Sequence, residues 1–137
     1  MSTELKPIKL GLIGLGTVGG GLVSVLERNA DIIARRAGRR IEIALATARD
    51  INKQRPFSTE NIELVSDPKD LVQRSDIDIV VELIGGTELA FDLVAMALKN
   101  KKHVVTANKA LIALRGNELF EIAQQHGRIV AFEAAVA

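Results

Sequence analysis

Three clusters of residues in the chain have types and spacings that could do chemistry. The first is Gly14-x-Gly16-x-x-Gly19 within LGLIGLGTVGGGL, residues 10–22, where six of thirteen residues are glycine. Gly14 would allow a tight turn. Gly16 would let a pyrophosphate approach the backbone, where a Cβ would collide with it. Gly19 would let a helix pack close to the preceding strand, with its N-terminal N–H groups facing the phosphates. Glycines can serve a sharp turn alone, but an apolar run before the motif and a helical pattern after it favour dinucleotide binding. Gly20 and Gly21 continue into the expected helix, each costing about 1 kcal/mol relative to alanine, with close packing as the only reason in view.

The second cluster is ATARDINKQR, residues 46–55. It follows a β-rich run, where an adenine ribose would lie. An acidic residue there suits the 2′-hydroxyl of NAD and a basic one the 2′-phosphate of NADP. Arg49 could pair bidentately with a phosphate. Asp50 could instead accept from the hydroxyl, and Lys53 and Arg55 read as a solvated loop. NADP is favoured over NAD.

The third cluster joins VVELIGGTE, residues 80–88, to HVVTANKALIALRGNELF, residues 103–120. Gly85 and Gly86 let the backbone approach a ligand at one strand end. Thr106, Asn108 and Lys109 gather where the next strand gives way to a helix. A lone lysine is usually a solvated surface group, yet Lys109 falls on the expected ligand edge. Glu82 reads as a strand-end carboxylate. His103 and His126 read as structural, since neither has a partner at metal-ligand spacing.

These clusters need elements to hold them. β-rich runs occur at 8–14, 41–47, 76–83, 102–107 and 128–134. Helical periodicity follows Val18, where Leu22, Val25, Leu26 and Ile33 share a face, and recurs at 88–100 and 116–126. A short helix is expected near 67–74, capped by Ser66 or Asp67 with Pro68 in its first turn. Residues 48–61 read as a surface loop. Near-continuous apolar strands alternating with helices predict an α/β domain with a doubly wound parallel sheet of five or six strands, and ligands bind beyond the strands' carboxyl ends.

Composition removes other classes. The 137 residues suit one domain, and the net charge of +1 with no Trp or Tyr gives no footing for nucleic acid. There is no cysteine for a disulfide or thiolate metal site. No apolar run approaches membrane-spanning length, so a cytoplasmic protein with no membrane partner is expected.

GLIGLGTVGGG, VVELIGG, KHVVTANKALIALRGNELFEIA and VAFEAAVA together resemble the nucleotide-binding part of homoserine dehydrogenases, from about Ile8 to Ala137. The glycine motif is shared by many dehydrogenases; TANKAL followed by FEAAVA is far more specific. The resemblance implies a Rossmann-type domain and NAD(P)-dependent interconversion of aspartate 4-semialdehyde and homoserine, toward threonine and methionine. It implies that Leu15, Thr17 and Val18 line the cofactor within the glycine turn and that Arg49 meets the 2′-phosphate. With Gly14, Gly16, Gly19, Ile84, Gly85, Thr106 and Lys109 they form the expected cofactor set. Lys109 corresponds to a lysine near nicotinamide and substrate, assisting a second catalytic lysine expected beyond Ala137. Glu133 and Val136 correspond to positions holding a monovalent cation such as Na⁺; on its own, Glu133 reads as a strand-end carboxylate. The resemblance also places a substrate and dimerisation domain beyond residues 1–137, and implies a homo-oligomer at full length. Two other readings stand beside it: the nucleotide domain of another amino-acid or sugar dehydrogenase, and a non-catalytic dinucleotide sensor.

Overall fold

Apolar runs with little polar interruption form the centre of a single sheet. The computed structural model describes residues 6–14, 38–48 and 62–132. Among these residues are six strands: β1 (Ile8–Ile13), β2 (Ile41–Thr47), β3 (Glu63–Val65), β4 (Ile79–Glu82), β5 (His103–Thr106) and β6 (Val130–Phe132). Three helices are described: α1 (Pro68–Val72), α2 (Glu88–Lys99) and α3 (Lys109–Gln125). The strands run in the order β3-β2-β1-β4-β5-β6, every pairing parallel. That is the Rossmann order, with its reversal between β1 and β4.

Side chains alternate across the sheet. Ile13, Leu45, Val80 and Val104 join α1, α2 and α3 in one buried cluster. Leu12, Ala46 and Val81 form a second buried cluster, with Val105 packed against it. Burial of both faces explains why these strands read as apolar runs rather than alternating patterns. Gly11 permits α1 to pack closely on β1, because a Cβ there would lie 2.7 Å from Leu71 Cδ2.

α2 buries Ala90, Leu93, Val94, Ala97 and Leu98, the stripe expected from helical periodicity. α1 is capped by Asp67, whose side chain accepts from the Lys69 N–H at 2.9 Å, with Pro68 in the first turn. Two elements differ from the sequence reading. β3 is a three-residue edge strand, too short to carry a visible period. α3 begins at Lys109 rather than at 116, because Asn108 caps it, and it breaks at Arg115 (φ −137°, ψ 18°). The Gly116-Asn117 pair resembles a helix start and marks only the second half. Arg115 sits 3.3 Å over the Phe91 ring and pairs with Glu118, pinning the break against α2.

Candidate dinucleotide-binding site

The carboxyl ends of β1 and β4 meet where the strand order reverses, and the residues there hold each other closely. Gly14 leaves β1 at φ +100°. A Cβ on it would lie 2.8 Å from Ile84 Cγ2 and 3.4 Å from the Leu83 carbonyl carbon. Glycine is therefore required twice, by backbone conformation and by the nearness of the β4 turn. The Leu83 N–H donates to the Ile13 carbonyl at 3.0 Å, so the two strand ends are hydrogen-bonded as well. On the other side, the Gly14 N–H donates to Thr47 Oγ1 at 2.9 Å, joining β1 to the end of β2.

Beyond β4 the chain passes through Gly85 and Gly86, at φ +75° and +73°. Among the described residues no atom lies within 4 Å of where their Cβ atoms would be. Conformation, rather than crowding by any described residue, selects glycine here. Ile84 is exposed at the same edge.

Behind this turn lies a buried polar network. Glu82, the last residue of β4, has no exposed surface. It accepts from Thr106 Oγ1 at 2.7 Å and from Asn108 Nδ2 at 3.3 Å. Asn108 Nδ2 also donates to the Gly86 carbonyl at 2.5 Å, while Asn108 Oδ1 accepts from the Leu111 N–H at 3.0 Å. The Asn108 N–H donates to Thr106 Oγ1 at 3.0 Å. One asparagine thus caps α3, holds the glycine turn and contacts the buried carboxylate. A buried carboxyl group is costly unless its oxygens find donors, and here both do.

Lys109 is exposed at the first position of α3. A cation there opposes the helix dipole, and α3 has no acidic residue in its first turn to offset it. Lys109 therefore places a positive charge at the carboxyl end of β5 at some expense to the helix.

The structure thus brings Gly14, Ile84, Gly85 and Lys109 to the carboxyl edge of the sheet. Thr106 lies at the same strand end with its side chain buried, its hydroxyl engaged by Glu82 and Asn108. Leu15, Gly16, Thr17, Val18, Gly19, Arg49, Glu133 and Val136 lie outside the described residues. Among the described residues no cluster of three His, Cys, Asp or Glu could hold a metal, and no helix is long and apolar enough to cross a membrane. His103 is structural, its Nδ1 accepting from the Ile129 N–H at 3.1 Å. His126 ends α3, with its Nδ1 3.4 Å from Lys101 Nζ.

Two features escape the sequence reading. Thr47 gives no signal beyond its place at a strand end. Glu82 is the one acid in an apolar strand, which was the available cue to its burial.

The geometry fits NAD(P): Gly14 at positive φ after β1 meets the glycine turn after β4 where the strand order reverses. Comparison with known proteins agrees. The family described as homoserine dehydrogenase, NAD binding domain, matches residues 14–133. Homoserine dehydrogenase from Pseudomonas aeruginosa is 57% identical over 97% of this chain and 30% of its own length. That from Neisseria gonorrhoeae is 50% identical over the same shares. The crystal structure of a homoserine dehydrogenase from Thiobacillus denitrificans superposes with a TM-score of 0.90 at 54% identity, over 98% of this chain and 31% of that one. That of the S. aureus enzyme gives 0.88 at 38% identity, over 96% and 33%. The chain spans about 30% of the length of the curated relatives it matches. With its six parallel strands in Rossmann order and a match from the first glycine turn to the end of the sheet, the chain belongs to the homoserine dehydrogenase NAD-binding domain family.

Proposed function

We propose that this domain binds NADP(H) in preference to NAD(H), as the nucleotide-holding part of an enzyme interconverting homoserine and aspartate 4-semialdehyde. The observation that carries the reading is the meeting of Gly14 with Leu83 and Ile84 at the reversal of strand order. Two mononucleotide-binding halves of a Rossmann sheet share such a point, the adenine half lying over β2 and β3 and the nicotinamide half over β4 and β5. Arg49 follows β2 in sequence and serves the 2′-phosphate. Leu15, Gly16, Thr17, Val18 and Gly19 form the phosphate-facing turn with Gly14, while Ile84 and Gly85 line the nicotinamide half.

The bound nicotinamide supplies hydride transfer. The protein's task is to hold the carbonyl carbon against it and to stabilise the charge that develops on oxygen. Lys109, beside the positive end of α3, assists there as charge or proton donor, with a second lysine expected from the remainder of the enzyme. Glu133 and Val136 contribute oxygens to a monovalent cation such as Na⁺, whose shell needs several more. The full-length enzyme is a homo-oligomer acting on small molecules.

Titrating the chain with NADPH and NADH, read by nicotinamide fluorescence, tests this reading. Binding of both with NADPH tighter supports it. Tighter NADH overturns the preference, and binding of neither overturns the nucleotide site.

A further inference from the structure

We propose that Glu82 and Asn108 are positioning residues of the nicotinamide half-site, holding the Gly85–Gly86 turn at a fixed distance from Lys109. This inference rests on the nucleotide-binding reading above.

Three elements end at the same edge: β4 with its glycine turn, its sheet neighbour β5, and the first turn of α3. Glu82 closes β4 with no exposed surface, and its two oxygens accept from Thr106 Oγ1 on β5 and Asn108 Nδ2 before α3. Asn108 then reaches forward to the Gly86 carbonyl. Each link has a direction. Each Glu82 oxygen accepts one bond, Asn108 Nδ2 spends both hydrogens, and Asn108 Oδ1 is taken by Leu111 N–H. This arrangement satisfies all of these groups at once and ties the glycine turn to the first turn of α3, where Lys109 stands.

Burial of a carboxyl group explains why this is more than core filling. A leucine at the end of β4 would pack without the cost of dehydrating an acid. The acid is useful for what it orients. Gly85 and Gly86, both in left-handed conformation, have the least intrinsic preference for one path, and the Asn108 bond to the Gly86 carbonyl selects it.

The network therefore acts on the nicotinamide end and leaves the adenine end alone. Two ligands separate these ends: NADPH, and 2′-phospho-ADP-ribose, which lacks nicotinamide. Two variants disturb the network differently. Glu82→Gln keeps volume but replaces one acceptor by a donor. Asn108→Ser keeps a good helix cap while losing the reach to Gly86 and Glu82. We expect each to bind NADPH about tenfold more weakly, the scale of a lost charged or buried hydrogen bond, with 2′-phospho-ADP-ribose affinity within about twofold of the parent. NADPH fluorescence at saturation should also fall, because the ring is held less firmly. In a full-length dehydrogenase the same variants should lower kcat more than they raise KM for homoserine. Equal losses for both ligands, or far-UV circular dichroism showing unfolding in both variants, would overturn the proposal in favour of a general structural role. Unchanged NADPH binding in both variants would overturn it directly. A parent chain that binds neither ligand would remove the nucleotide reading itself, a result distinct from either.

Discussion

The Gly14 N–H donates to the Thr47 hydroxyl at 2.9 Å, tying the first residue of the glycine turn to the last residue of β2. Thr47 is 6% exposed, so the bond forms away from water. Replacing Thr47 by Val keeps the shape and removes the acceptor, leaving a backbone donor unpaired. Thr47→Val should destabilise the chain by about 1–3 kcal/mol, whereas Thr47→Ser should recover most of the loss. Urea denaturation of the three proteins checks this, and equal midpoints for Val and Thr would remove the bond's importance.

Gly14 itself is held by φ +100° and by the side of Ile84. Alanine there would strain the backbone and push its Cβ against Ile84 Cγ2. Gly14→Ala should cost about 1–3 kcal/mol of stability through backbone strain alone. NADPH affinity should fall with it, because relief of the clash moves the β4 turn. A variant that keeps both stability and affinity would show that the turn relaxes freely.

The sequence carried the sheet and the site edge to different depths. β1, β2 and β4 were legible because burial on both faces leaves continuous apolar runs. β3 was not, since Glu63–Val65 is too short for any period and takes its place only by pairing with β2. Gly14 announced itself by its motif. The hydrogen bond from Thr106 to Glu82 was not legible, because a hydroxyl at a strand end looks the same whether it meets a ligand or a buried carboxylate. The partner lies 24 residues away, and only the β4–β5 register brings the two together.

Two groups contribute to the pH response, both making stability rise with pH, Asp76 in the acid range and Lys102 in the alkaline range. The hydrogen bond from Arg74 holds Asp76 below its ordinary value of 3.8. Its stabilisation is present above that value and is lost as pH falls through the lowered one. Lys102 donates to the carbonyls of Arg74 and Ile77. Burial pulls it below the usual 10.5, partly offset by Asp76 and Asp78. The unfolded chain therefore binds more protons than the folded one between the lowered value and 10.5. Across that window Lys102 makes stability rise with pH. Comparing urea midpoints of the parent and Lys102→Met through the alkaline range should show a rise in the parent that the variant lacks. Parallel curves would contradict the assigned direction.

Arg49 is the expected determinant of cofactor choice. A guanidinium pairing with a 2′-phosphate forms charged hydrogen bonds that NADH has no group to receive. Arg49→Ala should weaken NADPH by about 1.5–3 kcal/mol and leave NADH nearly unchanged. Asp50 alongside would repel a phosphate unless turned away, so Asp50→Asn should strengthen NADPH slightly. Calorimetric titration of both cofactors decides the matter. Equal losses for NADPH and NADH in Arg49→Ala would assign the residue to the fold rather than to selectivity.

Lys109 should separate binding from catalysis. It stands exposed at the first position of α3, against the helix dipole, where it gains nothing for the helix. Its removal should therefore leave stability unchanged or slightly improved. NADPH affinity should change by no more than about twofold, since the phosphate and adenine contacts expected of a Rossmann sheet lie at the turn after β1 and beyond β2, away from α3. In a full-length dehydrogenase the outcome should differ sharply. Loss of a positioned proton donor or charge at the reacting oxygen lowers kcat by about 10²-fold or more. Lys109→Arg should restore charge but not the compact ammonium geometry, and so recover only part of the rate. Fluorescence titration of the chain, thermal melting and homoserine-dependent NADPH formation by the full-length variant together make the test. A large loss of cofactor affinity would make Lys109 a binding residue, and an unchanged kcat would take it out of the chemistry.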